Sequence, residues 1–127
     1  MELLDFKLRG GQQAPLVAAA GVGRVVEGYL TRVGVHDITA VVSEIVAWLA
    51  RGDPEPRTLR LDLSVTSAIV RVSVTTAQRT PLAPASNELL REALPVTAAL
   101  ASRYGLEASR RTRVWAEFER YSDSQHS

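Results

Sequence analysis

The segment Leu59-Arg60-Leu61-Asp62-Leu63-Ser64-Val65-Thr66-Ser67-Ala68-Ile69-Val70-Arg71-Val72-Ser73-Val74 decides the fold class. Leu59, Leu61, Leu63 and Val65 on one side of Thr66-Ser67-Ala68, and Val70, Val72 and Val74 on the other, fall at every second position. A strand sends alternate side chains to opposite faces, so the pattern predicts a β-hairpin with one buried face. Such a sheet needs a covering layer.

The cover is encoded upstream. Leu16, Ala19, Ala20, Val22, Val25, Val26, Tyr29, Leu30 and Val33 recur near helical spacing, which predicts a helix from Pro15 to Val33 that Gly34 ends. A second helix is expected from Asp37 to Ala50, with His36 helping to begin it and Gly52-Asp53-Pro54 stopping it. Ahead of both, Leu3 to Leu8 alternates roughly and predicts an edge strand closed by Gly10-Gly11.

Downstream, Thr75 to Ala85 is polar, carries Pro81 and Pro84, and reads as a loop. Ser86 suits the cap of a third helix carrying Leu89, Leu90, Ala93, Leu94, Thr97, Leu100, Ala101 and Tyr104, kinked or restarted at Pro95 and closed by Gly105. Thr112 to Glu119 alternates again and predicts the last strand. The order β, α, α, β, β, α, β predicts an α/β two-layer sandwich, a mainly antiparallel sheet of four or five strands with three helices on one face. One domain is expected over residues 1–120, followed by a flexible polar tail at 121–127.

A chain of 127 residues can close one core without disulfides, and it has no cysteine. Thiolate metal sites and cysteine nucleophiles are therefore excluded, and two histidines at unrelated places form no metal-ligand cluster. The first residues lack the basic and apolar regions of a signal peptide, and no run approaches the ~18 apolar residues that cross a bilayer. A cytoplasmic protein is the expectation. A net charge of +1 argues against nucleic-acid or membrane partners, and Arg110-Arg111-x-Arg113 is too short a run to change this. Those arginines are read as an exposed turn and strand start. Fourteen arginines against the single Lys7 point to the coding bias of a GC-rich bacterial genome.

At about 100° per residue, Ile38, Val42, Ile45 and Leu49 fall on one side of the second helix, while Asp37, Glu44, Trp48 and Arg51 fall on a separate flank. The run Val41 to Gly52, through Ser43, Glu44, Ile45, Val46, Arg51 and Gly52, resembles the N-box V-S-E-L-V-T-N-A-x-R-H-G of bacterial anti-sigma-factor serine kinases, with one residue missing before the glycine. These kinases are Bergerat-fold, histidine kinase-like ATPases. Ala99-Leu100-Ala101-Ser102-Arg103-Tyr104-Gly105 is similar to the family's A-L-A-D-R-W-G, and Thr112-Arg113-Val114-Trp115-Ala116-Glu117-Phe118 resembles its terminal strand K-T-V-W-A-E-L. The resemblance runs from about residue 3 to residue 119 and rests on the order and spacing of these segments.

It implies a histidine kinase-like ATPase fold with degenerate nucleotide motifs. Glu44 takes the place of the glutamate that activates the attacking group and is the only catalytic candidate; Trp48 takes that of the magnesium-binding asparagine. An indole offers magnesium no oxygen. Thr76 stands where an aspartate would hold adenine, without the charge of that acceptor. Arg91, Glu92, Ala93 and Leu94 stand where a glycine-rich lid would cradle phosphates, and no glycine lies between Gly52 and Gly105. The nucleotide-binding positions implied by resemblance are thus Glu44, Trp48, Arg51, Thr76, Arg91 and Ala93, with no metal ligands.

Plainer readings accompany these. Glu44 is a solvated acid paired with Arg51 or Arg103, Trp48 a boundary core residue, and Tyr104 and Trp115 core aromatics between the third helix and the last strand. Gly21-Val22-Gly23-Arg24-Val25-Val26-Glu27-Gly28 mimics a dinucleotide fingerprint but sits inside a helical pattern, where small residues serve close packing. Ser43 has no nucleophile context.

The functional expectation is a regulatory protein-interaction module in transcription, a pseudo-ATPase that binds no cofactor and whose partner is, by resemblance, a sigma factor or an anti-sigma antagonist; many members of that family dimerise. The alternatives are an ATP-dependent serine kinase with an atypical pocket, to which alone Mg-ATP would belong, and a small-ligand sensor using the cleft beside Trp48.

Overall fold

The computed structural model describes residues 1–9, 11–50, 58–76, 87–108 and 111–120. The elements run β1 (Glu2–Arg9), α1 (Ala14–Val26), α2 (Arg32–Ala50), β2 (Thr58–Val65), β3 (Ile69–Thr76), α3 (Asn87–Ala93), α4 (Pro95–Leu100), β4 (Arg103–Ala108) and β5 (Thr112–Glu119). They form a five-stranded antiparallel sheet in the order β1-β2-β3-β5-β4, with β1 and β4 at the edges.

The hairpin stands where its alternation placed it. Leu59, Leu61, Leu63 and Val65 of β2 and Val70, Val72 and Val74 of β3 are all buried. The Thr66 hydroxyl closes the turn by accepting the amides of Ala68 and Ile69 at 3.2 and 3.1 Å. Val114, Ala116 and Phe118 of β5 extend the same apolar face. Strand β3 runs on through Thr75 and Thr76, where the polar composition predicts a loop; the rest of that loop, and Ser86, lie outside the described residues.

Helices α1 and α2 cover this face. In α1, Ala14, Ala18, Val22 and Val26 recur every fourth residue and are buried. A Cβ on Gly23 would lie 3.1 Å from Thr39 Cγ2, so the small residues of this segment do serve close helix packing. The expected first helix to Val33 is shorter. Its chain turns after Val26, whose carbonyl accepts the amides of Tyr29 and Leu30, and Gly28 adds little helix propensity there. The Thr31 hydroxyl then accepts the Gly34 amide at 3.1 Å and caps α2. Gly34 thus belongs to the first turn of α2 instead of ending α1, and His36 lies beyond that start. The apolar period continued through the break because Tyr29 and Leu30 pack on the core from the turn itself. Along α2, Ile38, Val42, Ile45 and Leu49 are buried as expected, joined by Val41 and Val46.

The third helix divides in two, giving four helices among the described residues where three are expected. Pro95 supplies no amide hydrogen and begins α4 as a new helix. The chain then departs from the expected helix end: Tyr104 and Gly105 lie within the edge strand β4, paired with Ala116 and Trp115. A glycine in mid-strand weakens the local signal, and here it has a packing reason. A Cβ on Gly105 would lie 2.7 Å from Trp115 Cζ2, so the indole of one strand lies over the backbone of the next.

Candidate functional site

The site implied on α2 begins with Glu44. Its Oε2 accepts the Val96 amide at 2.9 Å, and its Oε1 accepts the Thr97 amide at 2.7 Å and the Thr97 hydroxyl at 2.8 Å. Helix α4 has no side-chain cap of its own at Leu94. Pro95 carries no amide hydrogen, and the next two amides are donated to a carboxylate from another helix. Glu44 is therefore a cap supplied in trans, at the end of the helix where negative charge is favoured. It is half-buried, and its acceptors are taken by α4, while Arg103 lies against Glu117 at 3.9 Å.

Trp48, one turn further on, is half-buried against the core, as a boundary residue would be. Thr76 is fully buried at the end of β3, opposite Leu59 and Thr112. Arg91 is exposed on α3 and donates to the Tyr104 hydroxyl, a contact that holds its guanidinium in the charged form. Ala93 is half-buried against the core, on a helix where a lid was implied. Arg51 lies outside the described residues. Glu44 is thus joined to α4 and Arg91 to β4. Among the described residues no group of three histidine, aspartate or glutamate side chains could hold a metal ion.

The opposite face of the sheet carries a second constellation, separate from the implied site. Strand register sets Lys7, Arg60, Thr75, Arg113 and Glu107 in one row across all five strands. The next row holds Asp5, Asp62, Ser73, Trp115 and Gly105, and beyond it Arg71 stands opposite Glu117 and Glu117 opposite Arg103. Charges of opposite sign meet along and between these rows. Arg60 donates through Nε to Asp5 Oδ1 at 2.8 Å, and through a terminal nitrogen to Oδ2. This two-pronged bond holds the Asp5 carboxyl below its ordinary range and the guanidinium above its own. Arg113 lies 3.7 Å from Asp62, which also accepts the Ser73 hydroxyl at 3.2 Å. Arg71 lies 3.8 Å from Glu117 and stacks its guanidinium 4.6 Å from the centre of the Trp115 ring.

Trp115 is therefore not a core aromatic beneath the helices but a half-buried side chain on the face that no described helix covers, hereafter the uncovered face. Tyr104 keeps a core role, packing on the helix side. Of the basic run, Arg111 is an exposed bend and Arg113 the second residue of β5, in keeping with a turn and strand start, whereas Arg110 lies outside the described residues. The signal for this face was the polar half of each alternating strand, Arg60-x-Asp62, Arg71-x-Ser73-x-Thr75 and Arg113-x-Trp115-x-Glu117. Only the register reveals which members meet. No protein-family model matches this chain, and no curated protein matches it by sequence.

Proposed function

We propose that this chain is a histidine kinase-like ATPase domain of the anti-sigma type that has lost its magnesium-ATP site and acts in the cytoplasm by binding a protein partner in transcriptional control. The observation that carries this reading is the engagement of Glu44. A general base must reach the proton it removes, and this carboxylate accepts three donors from Val96 and Thr97. Trp48 beside it offers no ligand to a hard cation. The order of elements, with the motif-bearing α2 ahead of the central hairpin, agrees with the resemblance. On α1, Leu16 and Val17 are 68% and 53% exposed, an apolar surface suited to a partner.

The test uses a Trp115→Phe variant, which leaves Trp48 as the only indole, titrated with ATP and ADP with and without magnesium by calorimetry and fluorescence. Absence of heat and of a Trp48 response at millimolar nucleotide is expected. Saturable magnesium-dependent binding that quenches Trp48 would overturn the pseudo-ATPase reading in favour of a kinase with an unusual pocket.

A further inference from the structure

The uncovered face holds two adjoining grooves. One, of about 390 Å³, is lined by Lys7, Thr58, Arg60, Thr75, Thr76 and Arg111. Among the described residues three of these side chains are cationic, Thr58 and Thr75 add hydroxyls on the same face, Thr76 is buried, and none is a carboxylate. The neighbouring groove, of about 410 Å³, shares Arg60, Thr75 and Arg111 and adds Arg113 with the acids Glu2, Asp62 and Glu107. One trough thus has a basic end and an acidic end. We propose that it binds a small phosphate monoester whose other end carries an amine or hydroxyl groups.

Guanidinium forks and hydroxyl donors match the oxygens of a phosphate, which as a dianion gains most from several cations. Asp5 holds Arg60 through two nitrogens and so orients one of these cations before any ligand arrives. Arg113 Nε is a buried donor without a hydrogen-bond partner beside the shared wall. Glu2, Asp62 and Glu107 would repel a second phosphate and favour a donor group or positive charge instead. The volume lies at the small end of the range for ligand pockets, roughly 300 to 1,000 Å³, which suits a compact molecule over a polymer. The trough lies across the sheet from Trp48, so this inference is independent of the proposed loss of ATP binding.

The whole chain would be titrated with inorganic phosphate, with phosphoethanolamine and with ethanolamine while the backbone amide signals of Thr58, Thr75 and Thr76 are followed by NMR. Saturable shifts centred on these residues are expected with phosphate and, more tightly, with phosphoethanolamine, and none with ethanolamine. Lys7→Gln and Arg111→Gln, at exposed positions, should each weaken binding about tenfold. Shifts scattered over the surface, or an affinity unchanged in the double variant, would overturn the site. Tighter binding of a single-stranded oligonucleotide to the same residues would likewise overturn it, assigning the face to a nucleic acid.

Discussion

The two tryptophans report two ways in which one sheet uses its faces. Trp48 approaches from the helix side and rests on a closed apolar core, where the polar group beside it, Glu44, is bonded to the start of α4. Trp115 stands on the other side among Arg71, Glu117 and Ser73, where a partly exposed guanidinium meets a largely buried carboxylate. Carboxylates recruited for structure and carboxylates lining a groove thus occur on opposite sides of one sheet. A functional motif read from residue type alone does not separate them.

Neighbouring residues of β2 offer the largest contrast. Leu61 is fully buried, whereas Arg60 points the other way with 53% of its side chain exposed. Leu61→Ala should cost about 2–5 kcal/mol in urea unfolding, through lost transfer energy and a cavity. Arg60→Ala should cost far less, as exposed ion pairs do. Equal losses would mean that the uncovered face is not open to solvent.

A smaller effect is expected at Glu44. Glu44→Ala strips the acceptor from two amides and a hydroxyl and should destabilise the chain by about 1–2 kcal/mol. Faster hydrogen exchange at Val96 and Thr97 should accompany the loss, with Glu44→Gln recovering part of it through its remaining amide oxygen. Exchange at these amides that is indifferent to the substitution would show that Glu44 is not the cap.

The smallest concerns Asp5 on the uncovered face. Arg60 lowers its carboxyl below the ordinary 3.8, so the bond favours the folded state at pH values above 3.8 and is lost as pH falls through the lowered folded value. Asp5→Asn should therefore be slightly less stable than the parent at neutral pH, with the difference closing in thermal melts as pH falls below 3.8. A difference that persisted unchanged in acid would point to packing instead of charge.

Legibility in the sequence followed the reach of each signal. The hairpin, β1 and β5 were readable because an alternation of period two already states which face is buried. The α1–α2 break was misread because Tyr29 and Leu30 carry the helical period through a turn, and only the Thr31 cap marks the new start. Strand β4 was missed because Gly105 looks like a helix end until Trp115 is laid over it. Of the implied site, the absence of lid glycines and of a magnesium ligand at position 48 was plain from residue identity. The role of Glu44 was not, since its partners lie more than fifty positions away.

By itself the sequence determined a two-layer α/β domain with one apolar sheet face, because hydrophobic periodicity is local and the burial it demands is independent of partners. Tertiary structure alone decided what the polar residues do. Register set Lys7, Arg60, Thr75, Arg113 and Glu107 in one row, and the restart of the chain at Pro95 brought two unbonded amides to Glu44. Charges and hydrogen bonds act over a few ångströms in space, and distance along the chain does not measure that.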